Sequence, residues 1–187
     1  MESRVFIYAF LSKVYADVLD KKAIEDLKSD ENLLATIGQE SQNYFASNDI
    51  DTIYEALNDD FSSIFLMNAQ PLESSIVDSK EEVLVGLQNP VMQFYFDHGY
   101  DLNLASTHIQ TPDHISLEFA FMQNLIQRGD ERAYYEFLKA HVIEWVPHYL
   151  IAIGDMATTV FYKELFDFSV EFVATEYEAL LEKFDGQ

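Results

Sequence analysis

Apolar residues recur at intervals of three and four through long stretches of this chain, and almost nothing interrupts them: six glycines and four prolines are spread over 187 residues. That spacing places apolar side chains on one stripe of a helix. With so few breakers it predicts an all-α fold, a single compact helical bundle. The first helix is expected from about Ser3 to Leu19, with Phe6, Ile7, Phe10, Leu11, Val14, Tyr15 and Val18 along its apolar face. Lys21 to Ser47 reads as one short and one longer helix. Ile50 to Met67 reads as another, with Ile53, Tyr54, Leu57, Phe61, Ile64 and Phe65 on its stripe and acids at its start, where they complement the helix dipole.

Periodicity lapses over residues 68–80, which contain Pro71 and read as a loop. A helical pair follows from Glu81 to about His98, broken at Asn89-Pro90 because a proline ring clashes inside a continuing helix. Tyr100 to Thr111 is polar, aperiodic and long for a bundle connection. It is expected to act as a hinge at 100–111, joining halves of about 1–99 and 112–187 within one domain. Thr111-Pro112-Asp113 carries the marks of a helix start, with Thr111 as N-cap and Pro112 in the first helical position. Gly129 closes that helix. Asp130 opens another through Trp145, Pro147 opens a further one, and Thr158 or Thr159 starts a last helix reaching about Phe184.

The charge is lopsided. Acidic residues outnumber basic ones 33 to 11, giving a net charge of −22. Nucleic acid and anionic membrane are therefore repelled rather than attracted. Between Lys28 and Arg128 the only cation is Lys80. Such a field either solvates helix faces or receives something cationic, and adjacent arginines suit it, because guanidinium groups bond carboxylates in bidentate fashion. No cysteine is present, which excludes disulfides and thiol chemistry. No run approaches the ~20 apolar residues of a membrane span, and the opening residues do not read as a signal peptide. A cytoplasmic protein is expected.

Nothing resembles a catalytic constellation: there is no phosphate-binding glycine loop, no nucleophile elbow and no zinc or di-iron motif among the five histidines. Neither catalytic nor metal-ligating residues are assigned, and no cofactor is expected. The sharpest local cluster is Thr111-Pro112-Asp113-His114-Ile115-Ser116-Leu117-Glu118. If Pro112 is the first helical residue, His114 and Glu118 lie i,i+4 on one face, and a carboxylate beside the imidazole raises its proton affinity. The same residues also fit a plain helix cap with a satisfied histidine.

The segment Pro112-Asp113-His114-Ile115, opening a helix that continues Glu118-Phe119-x-Phe121-Met122, resembles the hallmark motif of the TorD-like redox enzyme maturation chaperones. Three further stretches agree in order: Tyr8-x-x-Leu11-Ser12; Phe61-x-x-Ile64-Phe65 followed by Pro71-Leu72-Glu73-Ser74; and His141-x-x-x-Trp145-x-Pro147 followed by Phe161-Tyr162. The chain departs from the family at Gln110-Thr111, where a Glu is common, and at Leu72, where a Tyr is common.

The resemblance implies a cytoplasmic, non-enzymatic chaperone. Its partners would be the twin-arginine signal peptide and the apo form of a molybdopterin-containing reductase, which it keeps from premature export while assisting molybdenum cofactor insertion. It further implies a monomer or a domain-swapped dimer. Asp113 and His114 would contact the signal peptide, with Pro112 fixing the helix start; beyond the resemblance, the i,i+4 spacing adds Glu118 as the partner of His114. Pro71 and Glu73 would border the same groove, Glu73 as a second guanidinium acceptor. Phe65 or Tyr54 would offer apolar surface, or else pack in the core as aromatic stripes usually do. A rival class is an acidic adaptor that binds a basic surface of its partner through charge alone.

Overall fold

The computed structural model describes residues 2–77, 86–104 and 109–185. These residues are helical in the main and contain no strand, only an isolated antiparallel bridge between Leu72 and His114. The all-α expectation holds. Among the described residues no helix is long and apolar enough to cross a membrane. The chain groups into two compact units, one of residues 1–16, 71–147 and 173–187, the other of 17–70 and 148–172. This grouping differs from halves split at 100–111, because the described part of that segment falls inside the first unit. Residues 105–108 of the expected hinge, and 81–85 of the helical pair expected to begin at Glu81, lie outside the described residues.

In the first unit, α1 (Glu2–Ala16) packs along α8 (Ile115–Arg128). Its buried line is Tyr8, Leu11, Val14 and Tyr15, whereas Phe6 is exposed. The buried stripe thus sits further along the helix than hydropathy alone indicates. Tyrosine rings replace the more apolar Phe6 because their bodies pack at a tilt against Phe119, at 5.8 Å from Tyr8 and 6.0 Å from Tyr15. The Tyr8 hydroxyl is satisfied by that of Tyr134 at 2.9 Å. Tyr134 in turn donates to Glu176, which also holds Arg4 at 2.5 Å. Helices α7 (Pro90–Asp97) and α9 (Glu131–Phe137) pack through Tyr95, Phe121 and Phe137, whose rings lie 4.6–5.8 Å apart. Gly129, at φ 72, closes α8 in the left-handed conformation that a glycine adopts without strain.

The second unit opens on three short helices where two were expected, α2 (Lys21–Ser29), α3 (Glu31–Ile37) and α4 (Gln39–Ser47). Asp30 ends α2 and caps α3, its carboxylate accepting from the Leu33 amide at 3.0 Å. Such a side chain competes with the helix for its backbone donors, so the break falls there. The next break, Gly38, is enforced from a distance. Glu164 reaches the start of α4 and accepts from the Glu40 and Ser41 amides at 3.1 and 2.6 Å, and a Cβ at Gly38 would lie 2.0 Å from its carboxyl carbon. Gly38→Ala therefore displaces Glu164 and should cost about 1 kcal/mol, the usual worth of a capping bond. Urea denaturation should show that cost in the otherwise native chain and none of it in a Glu164→Ala background.

Helix α5 (Ile50–Phe61) begins at the Asp49 cap and runs on as a π turn over Ser62–Asn68. Two longer helices close the chain, α10 (Ile143–Ile153) and α11 (Val160–Phe184). Pro147 does not open a helix; it lies inside α10. The carbonyl its ring would strike, four residues back, belongs to Ile143. That residue directly follows a π turn at Leu138–Val142, whose wider winding gives the ring room.

Candidate functional site

Residues 78–80 of the loop expected at 68–80 lie outside the described residues; its described part contains a short helix, α6 (Glu73–Val77), and the residues leading into it pair with the residues leading into α8. The Ile115 amide donates to the Pro71 carbonyl and the Glu73 amide to the Asp113 carbonyl, both at 3.0 Å. A tight pair of extended residues, Leu72 and His114, results. The Tyr95 hydroxyl donates to the Pro112 carbonyl at 3.1 Å, tying α7 to the same turn. The Pro71–Ser74 and Pro112–His114 segments, which the resemblance assigns to one groove, are thus side by side.

This pairing overrides the helix start read at Thr111-Pro112. Pro112 and Asp113 form a turn, and His114 is the N-cap of α8 with extended backbone, φ −77 and ψ 135. Its Nδ1 accepts from the Ser116 amide at 3.2 Å and lies 2.8 Å from the Ser116 hydroxyl. The imidazole is therefore the neutral tautomer with its proton on Nε2. Burial pushes its pKa down to about 4, outweighing the neighbouring Asp113 carboxylate that works in the opposite direction. The expected rise in proton affinity is not found, because burial of the ring outweighs the carboxylate beside it.

Asp113 is buried. Its Oδ2 accepts from the Ser74 amide at 3.0 Å, at the start of α6. Its Oδ1 has no hydrogen-bond partner among the described residues, and neither has the Ser74 hydroxyl. Both residues line a cavity of about 240 Å3 shared with Glu73, Val77, Asn89 and Val91. An unpaired carboxylate oxygen of this kind is costly unless a ligand satisfies it.

Glu118 is not the partner of the His114 ring. Its side chain is fully buried, and Oε2 accepts from Trp145 Nε1 at 3.0 Å. The nearby acidic groups of Glu73 and Asp113 also act on it. Glu73 is held in place by His141, whose Nδ1 lies 3.0 Å from each of its oxygens. Burial, then the Glu73 charge, keep Glu118 protonated well above the ordinary carboxylate range, although the Trp145 hydrogen bond pulls the other way.

Pro112, Asp113, His114, Glu118, Pro71 and Glu73 all belong to the first unit and converge on this junction. Phe65 and Tyr54 belong to the second unit. Phe65 is buried there against Phe61, Tyr162 and Phe166, at 5.0, 6.0 and 6.0 Å, so it presents no surface to a peptide and fills the core instead. Tyr54 is half-buried, with Lys21 Nζ 5.5 Å from its ring centre. The sequence reading missed Trp145 and His141 as site residues. Their i,i+4 spacing and the need of a buried indole N–H for an acceptor were the available signals.

Comparison with known proteins gives a consistent picture. Residues 22–150 match the model of the family described as nitrate reductase delta subunit. The chain is 25% identical to the Chaperone protein TorD of Shewanella pealeana, over 95% of this chain and 89% of the relative. It is 23% identical to the Chaperone protein TorD of Shewanella oneidensis, over 81% and 76% respectively. No solved structure matches the chain at a significant level.

Proposed function

Because the chain belongs to the nitrate reductase delta subunit family, the TorD-like redox enzyme maturation chaperones, we propose that it binds the twin-arginine signal peptide of a molybdopterin-containing reductase at the junction of α6 and α8. Its role in molybdoenzyme maturation is that of a chaperone and not of an enzyme. In this reading it acts in the cytoplasm, holds the client back from export and assists insertion of the molybdenum cofactor.

The observation that carries the reading is the buried, unpaired Oδ1 of Asp113, a residue that lines a cavity together with Glu73. A guanidinium supplies several donors in a rigid fork and remains charged when desolvated. It is the group that best satisfies buried carboxylate oxygens. The net charge of −22 draws a basic peptide in over a longer range.

Isothermal titration with a twin-arginine leader peptide tests this. Asp113→Asn keeps an oxygen for the Ser74 amide but removes the charge, and it should weaken binding at least about tenfold, as should replacing both peptide arginines by alanine. Binding that ignores both changes and collapses at moderate salt would instead support an acidic adaptor acting through surface charge.

A further inference from the structure

Resting on the signal-peptide reading, we propose that His141 is a positioning residue of this junction: by gripping Glu73 it fixes the start of α6, and through it the Asp113 carboxylate that receives the guanidinium. Each link is a hydrogen bond. A carboxylate only accepts, so the His141 Nδ1 that lies 3.0 Å from each Glu73 oxygen carries the hydrogen between them. The Glu73 amide then donates to the Asp113 carbonyl, and the Ser74 amide to Asp113 Oδ2, both at 3.0 Å. With its carbonyl and one carboxylate oxygen both held by α6, Asp113 has the direction of its other oxygen set. That oxygen, Oδ1, is buried and without a hydrogen-bond partner among the described residues.

His141 is not among the residues that line the cavity, so it acts on the site through Glu73. It belongs to the π turn Leu138–Val142, a rare winding that recurs at functional sites. One turn further on, Trp145 donates to Glu118 in the first turn of α8. An i,i+4 pair shares one face, and this pair holds the starts of both helices at the junction. Stability alone is a poor reason for the arrangement. The His141 ring is buried, 4.8 Å from that of Phe137 and 5.9 Å from that of Phe94. Among such neighbours an apolar pair of the same volume often stabilises a fold as well as a buried polar contact does. What the histidine and carboxylate add is direction, and a supporting hydrogen bond of this kind holds a binding group to the precision that a guanidinium fork demands.

Peptide discrimination tests this, because an ammonium is a point charge and tolerates a displaced carboxylate that a planar fork does not. A twin-arginine leader peptide and its Lys-Lys counterpart are titrated into the native chain, His141→Leu and His141→Asn, with thermal unfolding used to establish that each protein is folded. Asn places its amide nitrogen where Nδ1 stands and keeps the donor. His141→Leu should lose at least about tenfold in affinity for the arginine peptide and no more than about threefold for the lysine peptide, while His141→Asn stays within about threefold of the native chain for both. Should His141→Leu not fold, His141→Gln takes its place, because its amide nitrogen falls at the Nε2 position, and the same loss is expected. In the free proteins, hydrogen exchange at the Ser74 amide should speed up in the variant that loses the donor and stay native-like in His141→Asn. An arginine preference that is absent from the native chain or kept by His141→Leu, a loss that is equal for both peptides, or a Ser74 amide that does not respond overturns the inference and leaves the signal-peptide reading standing. A native chain that binds neither peptide overturns both.

Discussion

Asp60→Ala is expected to destabilise the second unit by about 3–5 kcal/mol, since breaking a buried charged network leaves several donors without acceptors. Asp60 is buried, and its two oxygens accept from the residues that lead into α11. They accept from the Thr158 amide at 3.0 and 3.1 Å, the Thr158 hydroxyl at 2.6 Å, and the Thr159 amide and hydroxyl at 2.7 Å each. Burial alone would raise its pKa, yet these bonds overcome burial and hold it below the ordinary range. Its contribution is therefore present at neutral pH and is lost as pH falls through that lowered value. Thermal unfolding should show a midpoint roughly 10 °C lower in Asp60→Ala, given the ~2–4 °C per kcal/mol typical of this chain length. Asp60→Asn should lie between the two, because its amide nitrogen points a donor at other donors. A midpoint for Asp60→Ala within a degree or two of the native chain would show that water replaces the carboxylate and that the network carries little energy.

Asp60 also marks the boundary of what the amino-acid order reveals. Thr158 or Thr159 was legible as a helix start, because hydroxyl residues after a break are capping residues. The carboxylate that satisfies them stands 98 residues earlier in the chain. Helix content and most element types follow from local periodicity, so α1, α5, α8, α9 and α11 are readable from spacing alone. What fails are the places where a distant group sets a boundary. Glu164 fixes the break at Gly38, inside a region that periodicity reads as only two helices where three form. The Pro71–Ser74 backbone holds His114 extended and moves the start of α8 to Ile115, past a Thr-Pro-Asp sequence that looks like a helix cap in isolation. The π turn before Ile143 allows Pro147 inside a helix.

The site follows the same division. That Pro71–Ser74 and Pro112–His114 belong together came from resemblance, and the backbone pairing supplies the physical reason. Which carboxylate faces which partner was not legible. Helical spacing put Glu118 with His114, but spacing is counted from the first helical residue, and with His114 as the cap its ring turns toward Ser116. A buried tryptophan needing an acceptor then claims the Glu118 carboxyl.

That reassignment gives His114 and Glu118 opposite effects on stability, and the pH profile should show both. The His114 pKa falls from 6.5 to about 4 on folding, because a buried ring resists charge. Between those values the unfolded chain binds a proton that the folded chain does not, so stability decreases as pH drops from about 6.5 to about 4, by on the order of 2–3 kcal/mol. Glu118 behaves in reverse. Its pKa is raised on folding, so above about 4.5 the folded chain keeps a proton that the unfolded chain releases, and stability decreases as pH rises from there. Urea denaturation across about pH 4 to 9 separates the two. His114→Asn keeps an oxygen for the Ser116 amide and should flatten the acid limb, leaving the Asp60 contribution at its lower end. Glu118→Gln should be more stable than the native chain on the alkaline side and indistinguishable from it near pH 4. An acid limb unchanged by His114→Asn would mean that the ring is charged in the folded chain, in which case Nδ1 carries a proton and cannot cap α8. An alkaline limb unchanged by Glu118→Gln would mean that Glu118 is ionised in the folded chain, with burial outweighed there by the Trp145 hydrogen bond.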